Sequence, residues 1–498
     1  MKTAIQPTRS KDYPQWYQAV VQAAELAETG PVRGTMIMKP WGYALWELLQ
    51  SYLDKEIKKR GHDNIYCPLF IPLSHMEREA KHVEGFAKEC AVVTHTKLIE
   101  DKDGKLKPAS PLEEPLIVRP TSEMIMGELF GRWVQSYRDL PILVNQWANI
   151  VRWEMRTRMY LRTSEFLWQE GHTAHATEKD ARKHTKKMLD MYVDMCQNML
   201  AMPVIPGEKS ENERFPGAIE TMTFEAMMQD GKALQLGTSH FLGQNFAKAS
   251  KIQFQDKDGQ MQYAWTTSWG TTTRLIGGLI MTHGDDDGLV LPPKLAKHQV
   301  VICPLLLKNS DHTAILTYCQ ELADSIAKKS LDNNHIRVHI DTSDKTGGEK
   351  NWYWVKKGVP IRIEVGNREV TSRTVSIKKR WENHKAQTMP IDDLVDEVQG
   401  LLEKAHKTLY KRAEDKLFEK MCWCENTTEL WAHFKDKNAG FALTYWHEDN
   451  AIEKKLKEEL AVTVRCLPYK TLLNKAKSGP CFYDNNKTGK LAILGRAY

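Results

Sequence analysis

The Leu291-Pro-Pro-Lys294 segment restricts the fold of this chain more than any other feature. Adjacent prolines fix two φ angles and remove two backbone donors, so neither a helix nor a central strand continues through them. The hydrophobic pattern also changes there, from a mixture of helical and β-branched segments to strands that alternate with helices. Because 498 residues exceed one hydrophobic core, we predict separate domains on the two sides.

The residues before the break predict a domain that mixes helices with antiparallel strands. Apolar residues recur at helical spacing from Tyr43 to Arg60, and Gly61 would end that helix. The segments Leu140–Arg158 and Ser164–His172 predict the two strands of an antiparallel hairpin, with Arg156, Arg158 and Arg162 in or beside its loop. Other predicted elements are a short strand at Asn64–Pro68, a strand at Trp265–Gly270 and a helix from Arg274 through Ile280.

The residues after the break predict an α/β unit with a partly parallel sheet. Apolar strands are expected at residues 300–304, 336–340 and 361–365, with a helix at Asp311–Lys329. A long charged helix is expected from Ile391 to about Met421. The predicted fold is therefore an α+β domain with an antiparallel sheet, then an α/β domain, then a small C-terminal α/β domain. Their predicted limits are 1–293, 294–408 and 409–498.

Composition excludes several classes of protein. The chain has 41% hydrophobic and 27% charged residues, and no run approaches the about 20 apolar residues that a membrane span needs. Its first residues lack the apolar core of a secretory signal. Nine cysteines scattered over the chain do not form the dense framework of a secreted scaffold. We therefore expect a cytoplasmic protein with reduced thiols and no membrane contact.

Two groups of residues could bind metal. The Cys422-Trp-Cys424 segment could pair with Cys466 and Cys481, but one residue separates the first two thiols and fourteen the second two. Structural zinc sites favour two to four. His172 and His175 stand three apart on a predicted strand, so their rings would point to opposite faces. Incidental thiols and unrelated histidines are the favoured interpretations, and we expect no metal in the protein scaffold.

Positive charge is concentrated in the segment Leu331–Lys385. Twelve Lys or Arg stand there against seven Asp or Glu, which gives +5 of the chain's net +6. The segment also holds Trp352, Tyr353, Trp354 and Trp381. Basic side chains interleaved with aromatic rings suit unpaired RNA loops, whereas an ordinary solvated face is the simpler interpretation. Charge and composition alone leave both open.

Arginines on separate predicted elements could bind a polyphosphate. Arg152, Arg162 and Arg274 each adjoin strand signals and a Thr or Glu. A guanidinium matches phosphate oxygens in a bidentate manner and stays charged at physiological pH. The chain has no P-loop and no dinucleotide-binding glycine fingerprint, so phosphate binding would depend on side chains. For any one of these arginines alone, ion pairing or surface exposure is the simpler interpretation.

Three stretches of the first domain carry a specific pattern. They are RGTMIMKPWGYALWELLQSYLDKEIKKRGHDNIYCPLFIP at 33–72, a segment at 148–175 containing VRWEMRTRMYLRTSEFLWQEGHTAH, and one at 266–293 containing SWGTTTRLIGG. VRPTSE and ALQLGTSHFLGQNF lie between them. Together they resemble the catalytic domain of class II aminoacyl-tRNA synthetases, and within that class the prolyl-tRNA synthetases of eukaryotic and archaeal type. Residues 298–400, with GVPIRIEVGNREV, resemble the anticodon-binding domain of the same subgroup.

This resemblance implies an enzyme that activates proline with ATP and Mg²⁺ and transfers it to the 3′ end of tRNA(Pro), as a homodimer. Arg152 and Arg274 would be catalytic. The residues implied to bind ATP are Arg152, Glu154, Arg162, Thr163, Phe166, Gln235, Thr238 and Arg274. Those implied to bind proline are Thr121, Glu123, Arg152, Trp168, Glu170, His172, Phe215, His240 and Gly270. Those implied to contact the anticodon are Lys357, Arg362 and Glu364.

The chain departs from the family at some positions. Residues 409–498 resemble the family's C-terminal domain of the zinc-binding type, but Tyr483 stands where Cys481 would have a partner, so we expect no structural zinc. Relatives commonly have Trp-Glu-Leu where this chain has Trp354-Val355-Lys356, so this chain lacks the Glu and any base contact that it makes. Only about a hundred residues lie between the second and third motifs, which implies no editing insertion. The terminal Tyr498 would fold back toward the active site, as in the family.

A catalytically inactive synthetase-like protein that binds RNA or regulates another enzyme is the main alternative. Such paralogues typically lose the phosphate-binding arginines, whereas Arg152, Arg162 and Arg274 are all present. A metal-dependent hydrolase built on His172 and His175 is a weaker alternative, because no catalytic Glu stands between them.

Overall fold

Helices and strands both occur in the first 293 residues of the computed structural model, which describes residues 3–78, 89–306, 311–382 and 385–498. The helices of this part are α1 (Tyr13–Ala23), α2 (Pro40–Lys58), α3 (Leu73–Arg78), α4 (Glu123–Trp133), α5 (Glu178–Asn198), α6 (Asn245–Ala249) and α7 (Arg274–His283). Its strands are β1 (Ala27–Thr29), β2 (Met36–Met38), β3 (Asp63–Asn64), β4 (Phe70–Pro72), β5 (Ala91–Glu100), β6 (Leu106–Val118), β7 (Ile142–Val151), β8 (Glu165–His175), β9 (Ile205–Glu208), β10 (Glu220–Met227), β11 (Ala233–Gly243), β12 (Gln253–Gln255), β13 (Met261–Tyr263) and β14 (Trp265–Thr272).

Helix α2 forms where the sequence predicts it, starting three residues earlier. Pro40 occupies its first turn, where a missing N–H costs nothing. Leu45, Leu49, Leu53 and Ile57 form its buried face. This helix therefore packs one apolar stripe on the core and leaves the other face to solvent.

The predicted strand at Asn64–Pro68 is wrong over most of its length. Asp63–Asn64 pair in parallel with β7, and Ile65 N still donates to Asn145 O at 2.8 Å. The backbone N–H of Cys67 then donates to the side chain of Gln146 instead of to a strand. Pro68 has no N–H to contribute to a ladder, so the chain leaves the sheet at this point.

The predicted hairpin is confirmed, with different ends. β7 and β8 pair in antiparallel register, with Gln146 opposite Glu170 and Ile150 opposite Phe166. β7 stops at Val151 rather than continuing to residue 158. Residues 152–164 form the arginine-bearing connection, so the basic side chains leave the sheet at one end of the hairpin. The strand after the loop is longer than predicted and reaches His175.

A central sheet extends outward from this hairpin. Its order of strands is β3, β7, β8, β14, β11, β10 and β9. All neighbours from β7 to β9 are antiparallel, as predicted. The predicted helix after β14 is α7, and its buried side chains, Leu275 to Thr282, are part of the core behind the sheet.

The domain after the prolines has a partly parallel sheet, which is also confirmed. Its helices are α8 (Thr313–Ala327), α9 (Gly347–Lys356) and α10 (Asn367–Ser372). Its strands are β15 (Val300–Pro304), β16 (Ser330–Leu331), β17 (Asn334–His335), β18 (Val338–Ile340), β19 (Ile361–Val365), β20 (Thr374–Lys379) and β21 (Gln387–Pro390). β15 is parallel to β18 and β19, while β20 and β21 continue the sheet in antiparallel fashion.

The C-terminal part joins the central sheet directly. It comprises the helices α11 (Ile391–Glu419), α12 (Thr427–His433) and α13 (Asn450–Leu460), and the strands β22 (Cys422–Trp423), β23 (Ala442–Trp446), β24 (Thr463–Pro468), β25 (Ser478–Cys481) and β26 (Asp484–Gly495). β24 pairs with β9, so that one sheet runs through both parts. Helix α11 is continuous across the predicted domain limit at residue 408. The last two predicted domains are therefore joined by one helix and not by a loop.

Candidate active site

One cavity of about 440 Å³ lies on the face formed by β8, β11 and β14. Its lining includes every residue that the sequence suggested for the nucleotide and amino-acid pockets. These are Thr121, Glu123, Arg152, Glu154, Arg162, Thr163, Phe166, Trp168, Glu170, His172, Phe215, Gln235, Thr238, His240, Gly270 and Arg274. Residues from widely separated segments thus converge because antiparallel pairing brings the three strands together.

Strand β8 divides its side chains between two faces. Phe166, Trp168, Glu170 and His172 line the cavity. Gln169, between them, is bonded to the side chains of Asn145 and Tyr192 in the interior. The predicted alternation is therefore confirmed, and it follows from the two-residue period of a strand.

Two carboxylates flank one imidazole at the closed end of the cavity. His172 Nε2 lies 3.6 Å from Glu123 Oε1 and 3.9 Å from Glu170 Oε2, and all three side chains are buried. Burial alone would raise the pKa of Glu123, but His172 and Thr121 outweigh it and lower that pKa to about 2. Burial raises the pKa of Glu170. Burial opposes protonation of His172, yet the two carboxylates raise its pKa, so the cluster favours an anionic Glu123 beside a protonated His172.

Several polar atoms at this end have no hydrogen-bond partner within the described residues. They are Trp168 Nε1, Glu170 Oε2 and both ring nitrogens of His172. The other oxygen of Glu170 accepts from Ser122 Oγ at 2.5 Å and from Gln146 Nε2 at 2.8 Å. Buried polar groups normally have partners. This end is therefore suited to a small polar ligand, and its two carboxylates favour a cation.

Arginines dominate the open end. Arg152 Nε donates to the carbonyl of Pro120 at 2.8 Å, and its Cζ lies 5.8 Å from the ring centre of Phe166 and 5.5 Å from that of Trp168. Arg274 donates from Nε to Leu161 O at 3.0 Å and from Nη1 to Gln235 O at 3.3 Å. These contacts fix both guanidinium groups at the cavity wall.

Arg274 keeps its charge despite its burial. Burial, followed by repulsion from Arg162 and Arg152, lowers the pKa of Arg274 to about 10, which still leaves a full positive charge at pH 7. Arg162 Nη1 lies 3.4 Å from Glu154 Oε2. A cavity wall that brings three guanidinium groups together is suited to bind phosphate groups.

A neutral histidine and an aromatic ring form another wall. His240 contacts Thr221 Oγ1 at 3.0 Å and Thr238 Oγ1 at 2.9 Å through its two ring nitrogens. Burial lowers its pKa to about 4, so it is uncharged at neutral pH. The ring of Phe215 lies 4.6 Å from it, centre to centre. This wall offers an apolar surface beside the carboxylates.

Sequence reasoning missed several residues of the site. Glu89 lies in the cavity lining and its carbonyl accepts from Trp153 N at 2.7 Å. No motif marks this residue. Ser122 stands inside VRPTSE and could have been included with its neighbours. Gln146 could have been found by counting the hairpin register, since it faces Glu170.

His175 lies outside the cavity, on the opposite side of the sheet from His172. Its ring centre is 5.0 Å from that of His184, whose Nε2 is 3.2 Å from His62 Nε2. Within the described ranges, no group of three or more His, Cys, Asp or Glu is arranged to hold a metal ion. The predicted opposition of His172 and His175 is confirmed.

The cysteines of the C-terminal part are free thiols. Cys424, Cys466 and Cys481 are buried, and Cys422 is exposed. Burial raises the pKa of Cys424 and of Cys466 to about 12, which disfavours the thiolates that bind metals.

The chain terminus reaches the arginine-bearing loop. Tyr498 donates from its hydroxyl to Asp230 Oδ2 at 2.6 Å, and its ring lies 5.7 Å from Arg158 Cζ. Its backbone N–H donates to Ala233 O, at the start of β11. Tyr498 therefore contacts β11, which lines the cavity, and the arginine-bearing connection between β7 and β8.

The basic segment at 331–385 is not a single surface. Trp354 and Trp381 are core residues. Lys357 is 4% exposed and lies 2.6 Å from Glu25 Oε2 of the first domain. Arg362 is 1% exposed on β19. The suggested anticodon contacts of Lys357 and Arg362 do not agree with this burial. Lys357 pairs with a carboxylate of the first domain, and Arg362 is buried within its own domain.

Glu364 is half-buried on the same strand. Its Oε1 lies 2.6 Å from Lys378 Nζ. The basic and aromatic residues of this segment therefore fall into two groups. Some are buried in the core, and others, among them Trp352, are exposed.

Three family descriptions match the chain. Residues 105–283 match the tRNA synthetase class II core domain (G, H, P, S and T), residues 299–401 the anticodon binding domain, and residues 427–498 the C-terminal domain of prolyl-tRNA synthetase. The matches follow the order of the three structural parts.

Relatives resemble the chain over its whole length. A proline–tRNA ligase of Protochlamydia amoebophila is 53% identical over 100% of this chain and 99% of its own length. One from Rhodopirellula baltica is 52% identical over 100% and 98%. The crystal structure of prolyl-tRNA synthetase from Cryptosporidium parvum, complexed with L-proline and AMP, has a TM-score of 0.89 and 36% identity, covering 99% of this chain and 97% of that one. The chain belongs to the prolyl-tRNA synthetase family.

Proposed function

We propose that the protein is a proline–tRNA ligase, which activates proline with ATP to prolyl-adenylate and transfers the prolyl group to the 3′ end of tRNA(Pro). One observation supports this most directly. A single cavity combines a buried Glu123–His172–Glu170 cluster at one end with the arginines Arg152 and Arg274 at the other. Such a cavity suits a small amino acid with a cationic nitrogen next to a polyphosphate.

Activation joins two anions. The carboxylate of proline attacks the α-phosphorus of ATP, the bond to the bridging oxygen breaks, and pyrophosphate leaves with the electron pair. Catalysis of this step depends on alignment and charge stabilisation. Arg152 would hold the attacking carboxylate and the α-phosphate, while Arg162 and Arg274 would hold the outer phosphates.

The nucleoside part of ATP would lie against the aromatic end of the arginine wall. Phe166 would stack on adenine, and Thr163 and Thr238 would add hydrogen bonds. Thr163 Oγ1 already donates to Glu165 O at 2.7 Å, which leaves its lone pairs available as acceptors.

Magnesium would be bound with ATP. Mg²⁺ prefers oxygen ligands and in nucleotide sites takes one or two of them from protein and the rest from phosphates and water. Glu154 and Gln235 supply a carboxylate and a carboxamide oxygen at the arginine end of the cavity, and this donor set agrees with such a site. When bound, the ion would neutralise phosphate charge.

Proline would occupy the closed end. Glu123 and Glu170 would pair with its secondary ammonium group, and His172 would hold them in place. Trp168 and Phe215 offer apolar surfaces to the pyrrolidine ring, with Thr121 and His240 completing the wall. At Gly270 an added Cβ would lie 3.0 Å from Gln169 O and 3.9 Å from the Trp168 ring, so this glycine lets the strand lie close beside the ring pocket.

The α/β domain would bind the anticodon loop. Since Lys357 and Arg362 are buried, we assign the contacts to exposed residues of the same segment, such as Lys345, Trp352 and Arg368. Stacking of bases on Trp352 and phosphate contacts by the two cations are the ordinary means of binding unpaired RNA.

The protein would act as a homodimer in the cytoplasm. Large apolar side chains are exposed in and beside the first motif, among them Tyr66 and Phe70, and on the hairpin β5–β6, where Leu98 and Leu106 are 61% and 70% exposed. Large exposed apolar side chains in neighbouring parts of a chain favour an interface, and two-fold pairing is the commonest arrangement. Sedimentation should show a dimer that Leu98→Asp with Leu106→Asp dissociates.

Proline-dependent ATP–pyrophosphate exchange tests the proposed function, with Arg152→Ala as the inactive comparison. Exchange with proline, lost in the variant, supports it. Absence of exchange with any amino acid would favour the inactive RNA-binding alternative. Exchange with alanine or threonine but not proline would overturn the assigned substrate.

A further inference from the structure

We propose that Gln146 is a positioning residue for Glu170, the carboxylate that would receive the nitrogen of the substrate. Gln146 is itself held by the backbone N–H of Cys67, in the first motif, so this N–H helps to fix the orientation of the Glu170 carboxylate. This inference rests on the proposed function and extends it to a residue that is not among the proposed contacts of ATP or proline. Gln146 is fully buried on β7 and stands directly opposite Glu170 in the hairpin register.

The contacts of Gln146 admit only one orientation of its amide. Its Oε1 accepts from the backbone N–H of Cys67 at 2.5 Å. Its Nε2 donates to Glu170 Oε1 at 2.8 Å and to Ser122 Oγ at 3.3 Å. Only the oxygen can accept from a backbone N–H and only the nitrogen can donate to a carboxylate, so the two ends of the amide have distinct partners.

This arrangement selects which oxygen of Glu170 meets the substrate. Oε1 already accepts from Gln146 and Ser122. Oε2 is the oxygen on the side of His172, and it has no hydrogen-bond partner among the described residues. A carboxylate fixed by two donors on one oxygen keeps its other oxygen in one direction. Gln146 therefore orients Glu170 without itself lining the cavity.

The far end of this connection is a well-anchored segment. The carbonyl of Cys67 accepts from Arg119 Nη1 at 2.7 Å, and Arg119 Nε donates to Asn149 O at 3.0 Å. The neighbouring Tyr66 is among the exposed apolar residues assigned to the dimer surface. The amide of Gln146 thus joins the backbone next to that surface to the closed end of the cavity.

The test is steady-state pyrophosphate exchange with Gln146→Met, which keeps the side-chain volume and removes the three hydrogen bonds of the amide, to Cys67, Glu170 and Ser122. We expect the KM for proline to rise about tenfold or more, as for loss of a hydrogen bond to a charged group, while the KM for ATP stays within twofold. Gln169→Met is the matched control, since Gln169 is an equally buried glutamine of the same hairpin whose side chain points away from the cavity. Its KM for proline should stay within twofold.

A second variant keeps the proposal testable if Gln146→Met does not fold. Gln146→Glu can still accept from Cys67 N, but it donates to Glu170 only when it is protonated. The KM for proline of this variant should therefore fall toward the wild-type value as the pH is lowered. The KM for proline of the wild-type protein should not fall over the same pH range. Unchanged KM for proline in folded Gln146→Met, an equal rise in Gln169→Met, or a pH-independent defect in Gln146→Glu would each overturn the proposal. Absence of exchange in the wild-type protein would instead overturn the proposed function.

Discussion

Arg465 Nη2 of the C-terminal part lies 3.0 Å from Glu225 Oε2 of the central sheet, and the two side chains are 7% and 0% exposed. Lys209 Nζ contacts the other oxygen of Glu225 at 2.9 Å. Burial would raise the pKa of Glu225, but the two cations lower it to about 2. Glu225 pairs with Gln235 on β11, so this buried cluster supports the strand that lines the arginine wall.

Replacing Arg465 by Met should destabilise the protein. Arg465 donates two hydrogen bonds to Glu225 Oε2, and losing hydrogen bonds to a buried charged group costs about 1.5–3 kcal/mol, although Lys209 still balances the charge of Glu225. The first thermal unfolding transition should therefore move down by several degrees. Lys411→Met removes an exposed pair with Glu414 and Asp415; exposed ion pairs contribute little to stability, so this variant should leave the transition nearly unchanged. Equal midpoints for the two variants would contradict this account of the buried pair.

Replacing Arg274 by Ala should reduce the rate of activation. Loss of one preorganised cationic group that stabilises developing charge costs on the order of 10²-fold in rate. Single-turnover formation of prolyl-adenylate would measure this. Arg138→Ala changes an arginine of the exposed turn before β7 and should leave the rate within twofold. A rate for Arg274→Ala similar to that of Arg138→Ala would exclude Arg274 from catalysis.

The stability of the protein should fall in mild acid because of three histidines behind the sheet. Burial lowers the pKa of His62 and of His175 to about 4 and that of His184 to about 2. The unfolded chain would bind protons at these positions near pH 6.5, whereas the folded protein would not until lower pH. Stability is therefore lost as the pH falls from about 6.5 toward 4.

The variant His184→Gln tests that pH dependence. It removes one depressed titration and should flatten the decline of the unfolding midpoint between pH 6.5 and 4. His335→Gln, an exposed histidine on β17 for comparison, should leave the slope as it is. A slope that is the same in all three proteins would contradict the assignment to this cluster.

The protein should mischarge alanine and should not correct the error. An apolar pocket gains only about 1–3 kcal/mol from a methylene group, so alanine is a near-cognate substrate. Residues 176–264 contribute α5 and the strands β9 to β11 of the catalytic sheet, which leaves little chain for an editing insertion. Deacylation assays with alanyl-tRNA should show no hydrolysis above the uncatalysed rate, and clear hydrolysis by the purified chain would contradict this expectation.

Strand and helix periodicity predicted the fold wherever local pattern and tertiary pairing agree. α2, the β7–β8 hairpin and α7 are examples, and alternation along β8 correctly separated Phe166, Trp168, Glu170 and His172 from Gln169. The prediction failed at residues 65–68, where a side chain of another strand captures the backbone donor of Cys67. No local pattern reveals such a partner.

Motifs were enough to predict the residues that line one cavity, but the contacts that support those residues were not predictable. Gln146 and Glu89 carry no signature. The opposite error occurred at Lys357 and Arg362, where charge suggested exposure. Long cationic side chains can be buried when a carboxylate or carbonyl is in reach, as Glu25 is for Lys357, and a sequence does not show which cations have such partners.

The pairing of β24 with β9 has a consequence for the chain as a folding unit. Without the C-terminal strands, β9 would become the edge of the central sheet and expose the backbone groups at Pro206, Gly207 and Glu208 that β24 and Tyr469 now cover. Such free edges are templates for intermolecular strand addition. The C-terminal strands therefore cover this edge of the central sheet against self-association, and a chain released before they are made would have the edge open.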